Sequence, residues 1–288
     1  MPGLRKPAYA MALLLMVILT AALLWKLLTI EQRFKRAFAQ ALDRYQIRAA
    51  LEDAHINIFG FSSQRLELAC LRPPFYWMLV LDEFKAKPRM LSLRPMALRF
   101  NGQAQAYNGS LAAELALSPL SMGFSGNLKA IDLNLALHPQ LNGLGITSGR
   151  ATLVVHRFQG SRAAFEQAEG ELALRDVTRI VHRSGTTLLL ELPFQDLSLK
   201  LNFVMVFQEF RIEHLESFSS LGRMEGRGSV NFHHGASVNL RLECRDISPE
   251  LKGFLLQKSG LRPAPDTSSF ELIIQGPLKS PRIQVTPL

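Results

Sequence analysis

From His55 onward, apolar and polar residues alternate along most of the chain. LELAC places Leu66, Leu68 and Cys70 on one side, and LAAELAL does the same with Leu111, Leu115 and Leu117. IDLNLAL repeats the pattern with Ile131, Leu133, Leu135 and Leu137, and LSLKLNF with Leu197, Leu199, Leu201 and Phe203. Val238, Leu240, Leu242 and Cys244 follow, and the ending LIIQGPLKSPRIQVTPL alternates on both sides of Gly276-Pro277. A period of two sends successive side chains to opposite faces, so each run predicts a half-buried strand.

The breaks share a form, with a glycine just ahead of an alternating run at Gly109, Gly126, Gly149, Gly170, Gly226 and Gly228. The first three spacings, 17, 23 and 21 residues, are too irregular for a solenoid but suit one long antiparallel meander. The predicted class is all-β: an elongated, twisted antiparallel sheet, curved or folded into an incomplete sandwich, because such a sheet must cover or close its apolar face. Two short strands are expected around Gly60 in HINIFGFSSQRLELACL, and a buried strand or short helix across Phe75–Leu81. Helical spacing is confined to SRAAFEQA (161–168) and PELKGFLLQKSG (249–260). Gly222, Gly226 and Gly228 are expected to form a tight junction, by positive φ or close strand approach, and Gly276-Pro277 the turn of the last hairpin.

The N-terminal part reads differently. Pro7–Trp25 contains no charged side chain, and nineteen helical residues reach about 28 Å, close to the hydrocarbon thickness of a bilayer. Residues 1–30 are therefore expected to form a transmembrane anchor, with a cleaved signal peptide as the competing reading from Arg5, Lys6 and Thr20-Ala21-Ala22. Phe34, Phe38, Ala41, Leu42 and Tyr45 then share one side of an amphipathic helical neck, assigned to 31–54, ahead of a β-rich domain over 55–288.

The net charge of +9 would suggest an anionic partner, but six of the nine excess charges lie in the first fifty residues. The low charge of the remainder argues against nucleic acid. Four basic residues closely follow the apolar run and two precede it, which opposes export by the positive-inside rule. Cys70 and Cys244 both continue apolar alternations, and small buried hydrophobes are favoured over a disulfide.

Chemistry is hard to find. GLGITSG departs from a dinucleotide fingerprint at Ser148, and His233-His234 falls in a turn without further ligands in sequence. Glu67, Asp132, Glu171 and Glu243 sit on polar strand faces, where carboxylates are solvated rather than poised for acid–base work. No enzyme activity, catalytic residue, metal site or cofactor is expected.

The anchor, the INIFG strand leading to LRPP, the Gly-led strands of GSRAAFEQAEGELALRDVT, the stretch SSLGRMEGRGSVNF and the closing IIQGPLKSPRI together resemble the type II secretion system protein N family. In broader outline the chain is similar to AsmA-like envelope proteins, whose strands close with a Gly-x-Leu-x-x-Pro-[KR]-Ile phrase. The resemblance implies a single-pass protein of a Gram-negative inner membrane with its β-rich bulk in the periplasm. It implies a non-catalytic part in protein export, in contact with other secretion or envelope proteins. The wider likeness implies the alternative, a protein that binds or transfers phospholipid along an apolar β groove.

Overall fold

The computed structural model describes residues 36, 40, 47–57, 60–70, 77–93, 96–118, 123–143, 145–161, 165–180, 193–232, 236–259, 269–277 and 280–288. The expected transmembrane anchor lies outside the described residues. Among those described, no helix is long and apolar enough to cross a membrane.

Among the described residues, fifteen strands form one antiparallel sheet. They are β1 (Ile47–Glu52), β2 (His55–Asn57), β3 (Gly60–Cys70), β4 (Trp77–Leu93), β5 (Met96–Ala106), β6 (Gly109–Ser118), β7 (Gly123–Asn134), β8 (Ile146–Ser161), β9 (Phe165–Arg179), β10 (Phe194–Val206), β11 (Glu209–Ser219), β12 (Gly222–Asn231), β13 (Ser237–Arg245), β14 (Phe270–Pro277) and β15 (Arg282–Pro287). From β3 to β15 the order in the sheet is the order in the chain, as a meander requires. The exception is at the start, where β1 and β2 both pair with β3.

The chain divides into two compact units, 1–85 and 86–288, with the boundary inside β4. The first holds a correction. Ile47–Glu52 is a strand, not the end of a helical neck, although Arg36 and Gln40 are helical. The last apolar position at helical spacing is Tyr45; Ala49 and Leu51 then alternate with exposed Arg48, Ala50 and Glu52 and pair with Leu68 and Leu66. The β-rich part thus begins eight residues before His55. The Phe75–Leu81 run resolves as strand from Trp77.

In the second unit, PELKGFLLQKS forms the expected helix, here α2 (Pro249–Ser259), preceded by a 3-10 turn (Leu135–Leu137) and the short α1 (Pro139–Gly143). Ser248 caps α2 by accepting the Leu251 N–H at 3.2 Å, and Pro249 occupies the first turn, where its missing N–H costs nothing. Glu250, beside its own backbone N–H and the Ser248 hydroxyl, has a carboxyl held below the usual range. Within SRAAFEQA, the described residues are strand and not helix: Ser161 ends β8 and Phe165–Ala168 open β9, with Phe165 paired to Gly160 and Ala168 to Phe158.

IDLNLAL is a further correction. β7 ends at Asn134 and Leu135–Leu137 turn away as a 3-10 segment, with Asn134 Oδ1 accepting from the Ala136 N–H at 3.1 Å. The register also shifts between Ala130 and Leu133, with Asp132 at φ 55°, so Ile131 pairs with Ser110 on the polar side. A bulge reverses the facing of every residue beyond it.

Candidate functional site

Because cross-strand partners share a face, the register can be followed from strand to strand. One row runs Ala104, Leu111, Ala130, Leu153, Leu172, Leu201, Leu215, Gly226, Leu242, Leu272 and Val285, crossing β5 to β15 without a polar side chain. A second, from Gly102 through Val155, Phe203 and Ile212 to Ile283, is equally apolar. The third runs from Phe100 through Phe158, Met205 and Phe210 to Gly276 in β14. Three rows are about 13 Å wide, and eleven strands extend about 48 Å along the sheet. The rows are buried or half-buried throughout, with Leu201 and Ile212 each 8% exposed and Phe203 9%.

Glycines in these rows hold the face together. A Cβ on Gly126 would lie 2.7 Å from the Phe158 ring, and one on Gly170 would lie 3.0 Å from Phe203. At Gly228 the Leu240 side chain, 2.7 Å from such a Cβ, lies across the bare backbone and joins the cluster of Leu201, Phe203 and Ile212. A large side chain laid over a glycine packs sideways against the strand beyond and favours local curvature.

Two clusters result. At the C-terminal end, Leu251 and Leu255 of α2 cover Cys244, Phe270, Leu272 and Val285. Cys244 is a free thiol with no exposure, and burial pushes its pKa up to about 11, so it serves as the small hydrophobe expected of it. The second cluster, around Leu201, Phe203 and Ile212, takes every member from β8 to β13 among the described residues. Its Leu153, Leu172, Leu199 and Leu215 remain half-buried.

The opposite face is mainly polar. Lys200, Glu216, Glu225, Glu243 and Glu271 stand side by side across β10–β14. Repulsion along this ladder is relieved by Arg223, 3.1 Å from Glu216 and 2.6 Å from Glu225, by Arg245 at 3.0 Å from Glu243, and by Arg241 on Glu271. Exposed pairs of this kind add little stability but keep the face solvated.

Glu67 pairs with Arg65 at 2.8 Å, Glu171 lies 3.3 Å from His156, and Asp132 occupies its bulge. Ser148 donates to the Asp176 carbonyl at 3.1 Å. None of these residues converges on another. His233-His234 falls outside the described residues, and Cys70 is placed in β3. No group of three or more His, Cys, Asp or Glu able to hold a metal occurs among the described residues.

The glycine junction divides by position. Gly222 has φ 131° at the entry to β12, whereas Gly226 and Gly228 lie within the strand, where a Cβ would fall on the carbonyls of Arg241 and Asn239. Gly276 and Pro277 pair with Val238 and Ser237 at the end of β14, and the Ser280 N–H donates to the Pro277 carbonyl at 3.0 Å. Pro277 starts the turn because it has no N–H to give to a ladder. No family model, curated protein or solved structure matches the chain.

Proposed function

We propose that this protein carries lipid acyl chains along its apolar sheet face, beside a membrane to which its N-terminal apolar run attaches it. The observation that supports this reading is the set of three apolar rows whose central cluster is packed, among the described residues, by strand side chains alone. A sheet with one apolar face normally buries it against another element. Here α2 covers one end, while the half-buried leucines of β8–β11 pack, among the described residues, on Leu201, Phe203 and Ile212 of the sheet itself. An acyl chain laid across them gains about 0.8 kcal/mol per methylene removed from water. The absence of a convergent polar group in the rows suits a ligand recognised by its hydrocarbon alone.

The phrases shared with secretion protein N support a second reading, a non-catalytic scaffold of an export machine that uses the free edge of β15 for strand addition. The readings separate when the full chain is extracted in mild detergent and its lipid is quantified by mass spectrometry. Acyl-chain carriage predicts phospholipid retained in fixed proportion to protein through repeated exchange into lipid-free detergent. Loss of all phospholipid with the protein still folded leaves the scaffold reading.

A further inference from the structure

One end of this sheet is apolar where a water-soluble rim is ordinarily polar. Beyond the three rows, a fourth runs Leu98, Leu117, Phe124, Gly160 and Phe165 at the edge where β5 and β7 begin, β6 and β8 end, and β9 begins. Its outermost side chains face solvent: Leu98 is 39% exposed, Leu117 37% and Phe165 37%. Phe207, in the β10–β11 turn at the same end, is 60% exposed, and its N–H donates to the Glu166 carbonyl at 2.7 Å. At the other end of β5–β9, Ala106, Ala151 and Val177 are buried, and among the described residues the large exposed apolar side chains there are the separate Leu137 and Ile180, without an exposed aromatic ring.

Phe207 has φ 52°, a left-handed conformation that a bulky side chain adopts only at a cost. The Glu166 hydrogen bond holds the turn, while the phenyl ring itself stands in water. Behind the rim, exposed Arg89, Arg99 and Arg157 surround Glu114 in a depression of about 270 Å³, three cations against one carboxylate. Exposed Phe and Leu side chains backed by arginines match an interface of hydrocarbon and anionic headgroups.

We infer that this rim, centred on Leu98, Leu117, Phe165 and Phe207, docks on an anionic bilayer surface, with the rings inserted below the headgroups and the arginines at phosphate level. The contact places the end of the proposed carrying face against lipid.

The test reconstitutes the full chain in vesicles of phosphatidylcholine, with or without phosphatidylglycerol, and uses Phe207→Trp as the reporter. Phe218→Trp is the control, since Phe218 is 64% exposed but pairs with Ser198 and Arg223 on the polar face. With brominated lipids, and after subtraction of the parent emission, Phe207→Trp is expected to be quenched severalfold more than Phe218→Trp. Arg99→Gln with Arg157→Gln should reduce that quenching in vesicles with phosphatidylglycerol and leave it unchanged in phosphatidylcholine alone. Equal quenching at both positions overturns the docking. So does a blue shift at Phe207→Trp that grows with protein density while bromine has no effect, which assigns the rim to contact between copies. Retained phospholipid without rim quenching would leave acyl-chain carriage standing and remove only this inference.

Discussion

Replacing Phe270 by alanine is expected to lower folding stability by about 4 kcal/mol, the cost of emptying a fully enclosed aromatic site. Phe270 is 1% exposed, the largest of the fully buried side chains among the described residues. It opens β14 opposite Cys244 and Pro287, and Leu251 and Leu255 of α2 close the cluster above it. Truncation removes the ring's contacts and leaves a cavity that a strand fixed on both sides cannot collapse to fill. Phe218→Ala, at a 64% exposed ring on the polar face, should change stability by no more than about 0.5 kcal/mol. Denaturant unfolding of the full chain measures both, and equal midpoints for the two variants would mean that α2 does not seal this end.

Gly226→Val is expected to cost about 3 kcal/mol and to expose β12–β15 to protease. The strain arises between strands: a β-carbon at 226 would fall on the Arg241 carbonyl and lie 3.0 Å from the Leu242 Cα, so β12 and β13 would have to separate. The γ-carbons of valine would further displace the Leu242 side chain from above the glycine. Arg227→Ala tests the adjacent position at little cost, because Arg227 is exposed and faces Arg241 directly, a pairing of like charges. Wild-type stability and protease resistance in Gly226→Val would make the glycine incidental.

The strands were legible where alternation was uninterrupted. Leu197 to Phe203 and Val238 to Cys244 lie on the face their period predicts, because an antiparallel strand with one buried face carries its register in every second residue. Legibility failed where the backbone changed phase. Asp132, Asp176 and Asp196 each adopt positive φ beside a register shift, and an aspartate within an alternating run was the available signal for a bulge. The glycine-led repeat was visible, but not that Phe158, Phe203 and Leu240 lie over glycines of neighbouring strands, since that depends on pairing across tens of residues. Gly276-Pro277 was visible as a turn signal, but not that the β13 ladder runs to Pro277 before the turn opens. The candidate site was legible as a pattern of apolar faces, and its continuity over eleven strands required the register.

Photo-crosslinking in native membranes tests the central claim most directly, through the period-two pattern itself. A photoreactive residue would replace Leu172 or Leu199, half-buried on the apolar face, or their exposed neighbours Glu171 or Lys200 on the polar face, each one residue away in sequence. The account predicts phospholipid adducts at Leu172 and Leu199 and none at Glu171 or Lys200. Adducts of equal yield on both faces, or none at Leu172 and Leu199 in folded protein, would contradict it.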